Sequence, residues 1–307
     1  MRSPSTAAGR TTLVSTDQEP AAPQHITPNV LREWALPDPG AGKYGRGQVL
    51  VVGGAAHTPG AAMLSALAAL RVGAGRLSLA VGSSVANHVA VAVPESGVVP
   101  LDEDDAGHVA VGAIDSVRDT AGSADAVLIG PGLDEPDGAR DLVAGIADAV
   151  GQDTLVVLDA FALGVAADVE DRLRPLRGRL VLTPNSGEAE RLLGRDCGDD
   201  DVADAREIAE RYGAVVALSD VIAAPDGRVW VKGTGSGGLG TSGSGDVLSG
   251  VVVGLLARGA DPAQAAAWAS YVHAAAGDRL AVQVGPLGYL ASELLTEIPR
   301  VLVELGG

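Results

Sequence analysis

A glycine-rich segment that ends in a carboxylate is the part of this sequence best suited to chemistry. Residues 233–245, GTGSGGLGTSGSG, contain seven glycines, and Asp246 follows directly, ahead of the apolar run VLSGVVVGLLARG. Where no Cβ intervenes, backbone N–H groups can approach a phosphate or oxyanion closely, and the positive N-terminal end of a following helix adds to the attraction. The pattern predicts an anion-binding loop in front of a helix.

Asp246 would stand in the first turn of that helix, beside the donors that hold the anion. A carboxylate placed there can act as a general base on a substrate hydroxyl, as in phosphoryl transfer. Helix capping is the alternative, because Asp is common at helix starts. Capping alone does not require seven glycines ahead of the carboxylate, so we interpret Asp246 as catalytic.

Other chemistry-bearing motifs do not occur in the sequence. Lys43 is followed by Tyr44, so GAGKYGRG is not a P-loop; no GxSxG elbow exists, and the five histidines show no metal-ligand spacing. The single cysteine, Cys197, excludes an internal disulfide framework and a multi-cysteine metal site. We therefore predict no metal-ligating residues, and we interpret His273, within an Ala-rich segment, as a packed or hydrogen-bonded core residue.

The charge balance restricts the partners of the protein. The net charge is −17, with 39 acidic against 22 basic residues, whereas nucleic-acid and anionic-membrane binders display basic patches. No apolar stretch approaches the roughly 20 residues that span a bilayer, and the N-terminus lacks a signal-type apolar segment. We expect a soluble cytoplasmic protein, a homo-oligomer, with small-molecule ligands and neither nucleic acid nor membrane as partner.

Alternating apolar segments predict the fold class. QVLVVGG, PGAAMLSALAALRVGAG and RLSLAV have the lengths and compositions of a strand, a helix and a strand, and the alternation continues to AVVALS. A hairpin follows about residues 225–227, and three helices close the chain. We predict a single-domain α/β protein over residues 26–307, with a mostly parallel sheet covered by helices on both faces, after a disordered N-terminal arm at 1–25.

Polar residues gather where the predicted strands end. In an open parallel sheet, ligands bind in the crevice outside the carboxyl ends of the strands. Turn formation alone also places Gly, Pro and Asp at such ends, so each loop by itself is weak evidence. Their convergence on one rim predicts a binding site there. The predicted rim comprises Gly53–Gly54, residues 130–136, 159–162, 183–188 and 219–220, and the glycine-rich run.

The glycine-rich loop that ends in GxGD before a late helix resembles the signature of ribokinase-like proteins. Within that superfamily, residues 28–305 resemble the ADP/ATP-dependent NAD(P)H-hydrate dehydratase family in the order and spacing of their motifs. The motifs that carry the resemblance are GQVLVVGG with PGAAMLSALAALRVGAGRLSLAV, IGPGL, LDAFAL, LTPNSGEAERLLG, LGTSGSGDVLSGVVVGLLARG and GPLGYLASELLTEIPRVL.

This resemblance implies a ribokinase-like fold and a repair reaction. Hydrated NADH or NADPH is dehydrated while ADP or ATP is consumed with Mg²⁺, through phosphate placed on the hydrate hydroxyl and then eliminated. By motif, Asp246 is the base. The remaining roles implied are Gly243, Ser244 and Gly245 in the anion hole; Ala61, Gly132 and Asn185 in the hydrate pocket; and Ser219, Asp220 and Gly245 at the adenosine nucleotide.

Three segments depart from the family pattern. Asn185 and Ser186 stand where the family has histidine in LTPHPGE, and Phe161 replaces the second carboxylate of DADAL. The nucleotide segment LKGxxT is represented by ALSDVI, which is about two residues shorter and lacks the lysine. Two alternatives therefore stand beside the dehydratase: a ribokinase-type small-molecule kinase, and a non-catalytic nucleotide- or dinucleotide-binding paralogue.

Overall fold

The structure, a computed structural model, describes residues 22–38, 40–235 and 237–307. Ten strands within these residues belong to one sheet. They are β1 (Gln24–Ile26), β2 (Gln48–Val52), β3 (Arg76–Gly82), β4 (Ser96–Leu101), β5 (Ala126–Ile129), β6 (Leu155–Leu158), β7 (Leu180–Leu182), β8 (Val215–Leu218), β9 (Val221–Ala223) and β10 (Val229–Lys232).

Helices connect and cover the strands. The α-helices of the described residues are α1 (Pro28–Glu33), α2 (Gly42–Gly45), α3 (Pro59–Arg71), α4 (Ser83–Ala92), α5 (Ile114–Ser123), α6 (Pro136–Ala149), α7 (Phe161–Val165), α8 (Glu170–Leu173), α9 (Ser186–Leu193), α10 (Asp201–Tyr212), α11 (Ser244–Ala257), α12 (Pro262–Gln283) and α13 (Ala291–Leu305). Short 3₁₀ turns occupy Ala166–Val169, Arg174–Leu176 and Gly237–Leu239.

The sheet is mostly parallel, which confirms the predicted fold class. Its strand order is β1-β10-β9-β8-β7-β6-β5-β2-β3-β4, and only β9 runs antiparallel to its neighbours. The predicted hairpin is the β9–β10 pair, in which the Gly227 N–H donates to the Ala224 carbonyl at 3.0 Å. Because β9 reverses the chain twice, the carboxyl end of β10 lies on the same edge of the sheet as the carboxyl end of β8.

Both faces of the sheet are buried, which explains why its strands are continuously apolar. Val49 and Val51 of β2 pack into the core on one side, with α3, α11, α12 and α13. Leu50 and Val52 of the same strand pack into the core on the other side, with α5, α6, α9 and α10. Successive side chains of a strand point to opposite faces, so a strand covered on both sides has apolar residues at every position.

The N-terminal boundary of the fold differs from the prediction. Residues 1–21 of the predicted arm lie outside the described residues. Gln24 and His25, which the prediction assigned to the arm, form β1 with Ile26 and pair in parallel with β10. The ordered fold therefore begins a few residues before Ile26. Pairing with an edge strand satisfies backbone groups that composition alone does not reveal.

Helix α11 positions the glycine-rich loop against the sheet. It begins at Ser244, and Gly259, with φ +97°, follows its end. A Cβ at Gly250 would lie 2.2 Å from the Ser65 carbonyl oxygen of α3, so the two helices approach more closely than any larger residue allows. Among the described residues, no helix is both long and apolar enough to cross a membrane.

Candidate active site

The switch point of the sheet lies between β2 and β5. From β2 the chain proceeds outward to β3 and β4, and then returns to β5 on the opposite side. The loops that follow these two strands are joined: the N–H groups of Gly54 and Ala55 donate to the carbonyls of Pro131 and Gly132, both at 2.8 Å. Ligands of open α/β sheets bind at such a point, and sequence analysis placed Gly132 there.

Thr58 reinforces this junction. It occupies the N-cap position of α3, as its sequence predicts, but its side chain makes no capping hydrogen bond. The hydroxyl instead donates to the Gly132 carbonyl at 2.8 Å. Thr58 therefore holds the loop after β5 against the start of α3, immediately before Ala61.

A cavity of about 510 Å³ brings Asp246 together with two other predicted residues. Gly243 lies in its wall, and Ala61 belongs to the apolar surface that α3 contributes to it. The residues that line this cavity are His57, Thr58, Gly60, Ala61, Met63, Leu64, Leu67, Ser242, Gly243 and Asp246. Its size and mixed lining suit a small organic ligand, and we call it the Asp246 cavity.

The turn before α11 contains backbone donors that have no acceptor. Gly243 has φ +88°, and a Cβ on it would lie 2.6 Å from Cδ1 of Leu64. A Cβ on Gly245 would meet no atom within 4 Å. Within the described part of the chain, the N–H groups of Gly243, Gly245 and Asp246 donate to no acceptor. Unpaired backbone donors at the N-terminal end of a helix are suited to an anion.

Ser244 differs from its predicted role as an anion-hole donor. Its N–H donates to the Thr241 carbonyl at 3.2 Å, and its side chain is buried. The hydroxyl oxygen and the carbonyl oxygen of Ser244 both lie 3.0 Å from Nε2 of His273. Because a carbonyl oxygen can only accept, Nε2 carries the hydrogen. Ser244 therefore anchors the start of α11.

His273 is a buried structural residue, as the sequence predicted. Burial, together with a smaller contribution from the charge of Lys232, lowers the pKa of its imidazole to about 4. The ring is consequently neutral at physiological pH and donates to Ser244 from a protonated Nε2. Its hydrogen bond connects α12 to the glycine-rich turn.

Asp246 has the protonation behaviour of a general base. It is half-buried at the third position of α11, and burial raises the pKa of its carboxyl group to about 7, with a contribution from the charge of Asp159. A carboxylate that titrates near neutral pH binds a proton far more strongly than an exposed aspartate. The group can therefore accept a hydroxyl proton and still be ionised in an appreciable fraction of molecules.

Asp159 follows β6 and is only 4% exposed. Its Oδ1 accepts from the Thr183 hydroxyl at 2.8 Å, while Oδ2 accepts no hydrogen bond from the described residues. Burial raises its pKa to about 6. Sequence analysis placed residues 159–162 on the rim without giving Asp159 a role. The available signal was an aspartate directly after the apolar strand TLVVL.

A second cavity, of about 560 Å³, lies on the same rim beside Ala160 and α9. Glu188 is its acidic residue, and burial raises the pKa of that carboxyl group to about 7, the charge of Asp159 adding to the shift. The lining residues are Leu133, Pro136, Arg140, Ala160, Phe161, Gly164, Val165, Asp168, Glu188 and Arg191. This cavity does not include Asp246, so the base faces only the first one.

Asn185 lies at the N-cap of α9, next to this second cavity but outside its lining. Its Oδ1 accepts from the Glu188 N–H at 3.0 Å, and Glu188 accepts from the Asn185 N–H at 2.9 Å. The pair forms a capping box. The structure thus gives Asn185 a helix-capping contact and places the predicted pocket residue near Glu188. Sequence analysis placed residues 183–188 on the rim without giving Glu188 a role, although its spacing from Asn185 is that of a capping box.

The predicted nucleotide loop follows β8. Ser219 has φ +53°, and both Ser219 and Asp220 are exposed. Oδ1 of Asp220 lies 2.8 Å from Nζ of Lys232, which ends β10. Neither loop residue lines the Asp246 cavity, so the structure separates the nucleotide loop from the base while keeping both on one edge of the sheet.

The donor set at this rim suits a metal that arrives with a phosphate ligand. Among the described residues, no three His, Cys, Asp or Glu side chains group closely enough to hold a metal ion. Mg²⁺ commonly binds through one or two carboxylates and the phosphates of a substrate. Asp246 offers a carboxylate of this kind in the first turn of α11, and Asp159 is close enough for its charge to raise the pKa of Asp246.

Sequence comparisons identify relatives of the whole chain. A family model described as NAD(P)H-hydrate dehydratase matches residues 49–300. An ADP-dependent (S)-NAD(P)H-hydrate dehydratase from Xanthomonas campestris is 43% identical over 289 residues, which are 91% of this chain and 96% of the relative. A bifunctional NAD(P)H-hydrate repair enzyme from Moorella thermoacetica is 39% identical over 270 residues, 86% of this chain and 50% of the relative. The chain thus spans about half of such bifunctional enzymes.

Structural comparisons identify the same fold. The ADP/ATP-dependent NAD(P)H-hydrate dehydratase from Bacillus subtilis, co-crystallised with ATP/Mg²⁺, has a TM-score of 0.75 and 27% identity. The similarity covers 92% of this chain and 98% of that one. A ribokinase-like superfamily protein from Enterococcus faecalis has a TM-score of 0.79 at 21% identity, over 92% of this chain and 96% of that one, which supports the ribokinase-like fold.

Proposed function

This chain belongs to the NAD(P)H-hydrate dehydratase family, and we propose that its rim site dehydrates hydrated NAD(P)H at the expense of an adenosine nucleotide. The protein is a hydro-lyase that restores the reduced dinucleotide. Gly243 and Asp246, the donor and the base expected of such a site, face one cavity. That juxtaposition is the observation that carries the proposal.

Asp246 begins the reaction by removing the proton of the hydrate hydroxyl. The hydroxyl oxygen then attacks the terminal phosphorus of the nucleotide, and the shortened nucleotide leaves. Phosphate next departs from the ring carbon while a proton leaves the adjacent carbon, so the ring double bond is restored. A base with a pKa of about 7 fits the first step, because it is stronger than an ordinary aspartate and still ionises near neutral pH.

The glycine-rich turn stabilises the phosphate as its charge moves. The N–H groups of Gly243, Gly245 and Asp246, at the N-terminal end of α11, have no acceptor within the described residues. Backbone donors fixed before the reaction stabilise developing oxyanion charge without further reorganisation. The hydrogen bonds from His273 to Ser244 hold this turn in place.

The hydrate occupies the Asp246 cavity in this proposal. Ala61 and the apolar side chains of Met63 and Leu64 provide a surface for the ring, and Asp246 stands at the other side. Gly132 supports the pocket through its contact with Thr58. Asn185 and Glu188 lie farther along the rim, where they would contact the remainder of the dinucleotide.

ADP or ATP serves as the co-substrate, since the Xanthomonas relative is ADP-dependent and the Bacillus enzyme was crystallised with ATP/Mg²⁺. Ser219, Asp220 and Gly245 are the proposed nucleotide contacts. When bound, Mg²⁺ would neutralise phosphate charge, held by the phosphates together with Asp246 or Asp159. We place the reaction in the cytoplasm, where NAD(P)H is used. The homo-oligomeric state remains a prediction, which sedimentation velocity can test.

A turnover assay tests the function directly. Hydrated NADH and hydrated NADPH are incubated with the full chain, Mg²⁺ and either ADP or ATP, and the return of the reduced-nicotinamide absorbance is recorded. We expect nucleotide-dependent return that is lost in Asp246→Asn. Phosphate transfer without return of absorbance would instead indicate a small-molecule kinase. Nucleotide binding without any turnover would indicate a non-catalytic member of the family.

A further inference from the structure

The nucleotide loop lacks the lysine of the related segment LKGxxT, but the chain has a lysine close by. Only two lysines occur in the sequence, Lys43 and Lys232, against twenty arginines. Lys232 is the last residue of β10 and directly precedes the glycine-rich run. Lysine is therefore rare in this chain, and the position of Lys232 next to the glycine-rich run indicates a specific role.

The structure brings Lys232 onto the nucleotide loop from a different strand. The Nζ of Lys232 lies 2.8 Å from Oδ1 of Asp220, and the backbone N–H of Lys232 donates to the Asp220 carbonyl at 2.9 Å. Only 14% of the Lys232 side chain is exposed, whereas 66% of the Asp220 side chain is exposed. The largely buried lysine side chain is thus held at one point of the rim by a partner that is open to solvent.

The same ammonium lies near the glycine-rich turn. Its positive charge contributes to the low pKa of His273, whose Nε2 lies 3.0 Å from both oxygens of Ser244. Lys232 therefore contacts the loop at 219–220 and lies within electrostatic range of His273, which anchors the start of α11. An ammonium has three donors, and the bond to Asp220 uses one of them.

We propose that Lys232 supplies, from β10, the phosphate-binding cation that the shortened loop at Ser219–Asp220 has lost. This inference rests on the proposed function, because it assigns a residue to the nucleotide side of the same site. Asp220 is a positioning residue that keeps the ammonium on the rim until a phosphate competes for it. A compact ammonium is well suited to phosphate oxygens as a point charge.

The main test measures nucleotide affinity by calorimetry with the full chain. In Lys232→Met, we expect the Kd for Mg-ADP to rise by at least about tenfold, the size of a lost charge-assisted hydrogen bond. Adenosine, which has no phosphate, should bind Lys232→Met and the wild type equally. The matched control is Lys43→Met, an exposed lysine on α2 at the opposite edge of the sheet, which should leave both Kd values unchanged.

A further variant separates phosphate binding from a purely structural ion pair. Lys232→Arg keeps the charge and should hold the Kd for Mg-ADP within about threefold of the wild type, as a charge-preserving change does at a point-charge contact. Equal loss of adenosine and Mg-ADP affinity in Lys232→Met would overturn the proposal.

Acetylation of the intact protein gives a measurement that does not depend on variants. With two lysines in the chain, peptide mass spectrometry reports each one separately. Mg-ADP should slow acetylation of Lys232 and leave that of Lys43 unchanged; equal rates at Lys232 with and without Mg-ADP would contradict the proposal.

The two proposals fail in different ways. Hydrate turnover with an unaltered nucleotide KM in Lys232→Met would overturn the role of Lys232 and leave the dehydratase standing. Lys232-dependent binding of Mg-ADP without turnover of hydrate would support that role and overturn the dehydratase. A wild-type chain that binds no nucleotide would overturn both.

Discussion

The carboxyl groups of Asp159 and Asp246 are electrostatically coupled across the rim of the sheet. Burial raises the pKa of Asp246 to about 7, and the charge of Asp159 is the second cause of that rise. Asp159 has a pKa of about 6 because it is itself buried. Asp159 is therefore largely ionised at the pH at which Asp246 titrates, and its charge helps to hold the pKa of Asp246 near 7.

Replacing Asp246 by Asn should lower the activity of the protein and raise its stability. We expect turnover to fall by about 10²–10⁴-fold, the usual contribution of a general base. The folded state should gain stability at pH 7.5, because the variant no longer buries a charge that the fold disfavours. Since the carboxylate is partly exposed, we expect the unfolding free energy to rise by about 1 kcal/mol, which raises Tm by a few degrees. Calorimetric melting and the turnover assay measure the two effects; full activity in Asp246→Asn would refute the assignment.

The pH dependence of kcat/KM should reveal the coupling. Turnover needs ionised Asp246, so kcat/KM should fall as the pH drops through about 7. In Asp159→Asn the neighbouring negative charge is gone, and the acidic limb should move to lower pH. Thr183→Val removes a hydrogen bond that lowers the pKa of Asp159, so fewer molecules carry the Asp159 charge near pH 7 and the limb should move in the same direction by a smaller amount. An unmoved limb in Asp159→Asn would contradict the coupling.

Two glycines of the turn should respond differently to alanine. In Gly243→Ala, the new Cβ meets Leu64 at 2.6 Å and φ is +88°, so the protein should lose about 1–3 kcal/mol of unfolding free energy. In Gly245→Ala the Cβ meets nothing, and stability should be unchanged. That methyl group would nevertheless occupy the space of the anion, so the Kd for Mg-ADP should rise. Denaturant unfolding and calorimetry distinguish the two; unchanged Mg-ADP binding in Gly245→Ala would place the anion elsewhere.

His273 should make stability depend on pH below neutrality. Its folded pKa of about 4 is lower than the ordinary value of 6.5, so the unfolded chain binds the proton more strongly. The stability that results is fully present above pH 6.5 and is lost progressively as the pH falls towards 4. Between pH 7.5 and 5, we expect a loss of about 2 kcal/mol that His273→Gln does not show.

The exposed histidine His88 provides the comparison for this experiment. His88→Gln should follow the wild type in unfolding free energy at both pH values. Should His273→Gln and the wild type lose stability equally between pH 7.5 and 5, the buried neutral imidazole would not be the cause.

Asn185 combines a helix cap with the proposed contact to the dinucleotide. Asn185→Ala should lose about 1 kcal/mol of unfolding free energy, because the capping bond to the Glu188 N–H disappears. Asn185→Ser keeps a capping oxygen and should remain as stable as the wild type. Both variants lose the amide donors, so both should raise the KM for the hydrate. A normal KM in Asn185→Ser would leave Asn185 with capping alone.

Much of the fold could be predicted because the strands of a sheet buried on both faces share one local sequence pattern, which recurs along the chain. Continuous apolar strands, such as TLVVL before Asp159, indicated a sheet covered on both faces, and Pro225 to Gly227 indicated the hairpin. The glycine-rich run identified the anion loop and Asp246. The N-terminal boundary was placed too late because β1 depends on pairing with β10, a contact remote in sequence.

Other features depended on residues that are distant in the chain. Ser244 resembled a free donor, but its N–H donates to Thr241 and its side chain meets His273, 29 residues later. Lys232 and Asp220 are on separate elements, and only the reversal by β9 brings them together. Electrostatic shifts also require burial in three dimensions, so the raised pKa of Asp246 could not be predicted from its neighbours along the chain.

The sequence by itself determined the α/β class, the motif that carries Asp246 and the free N–H groups of its turn, because helix starts and glycine conformations are local properties. Only the tertiary structure decided which residues share a cavity with that base, which carboxylate tunes it and which cation faces the nucleotide loop. Charges and cavities depend on distances through space, and crossover connections bring residues such as Ala61 and Asp246, which are 185 positions apart in the chain, into one cavity.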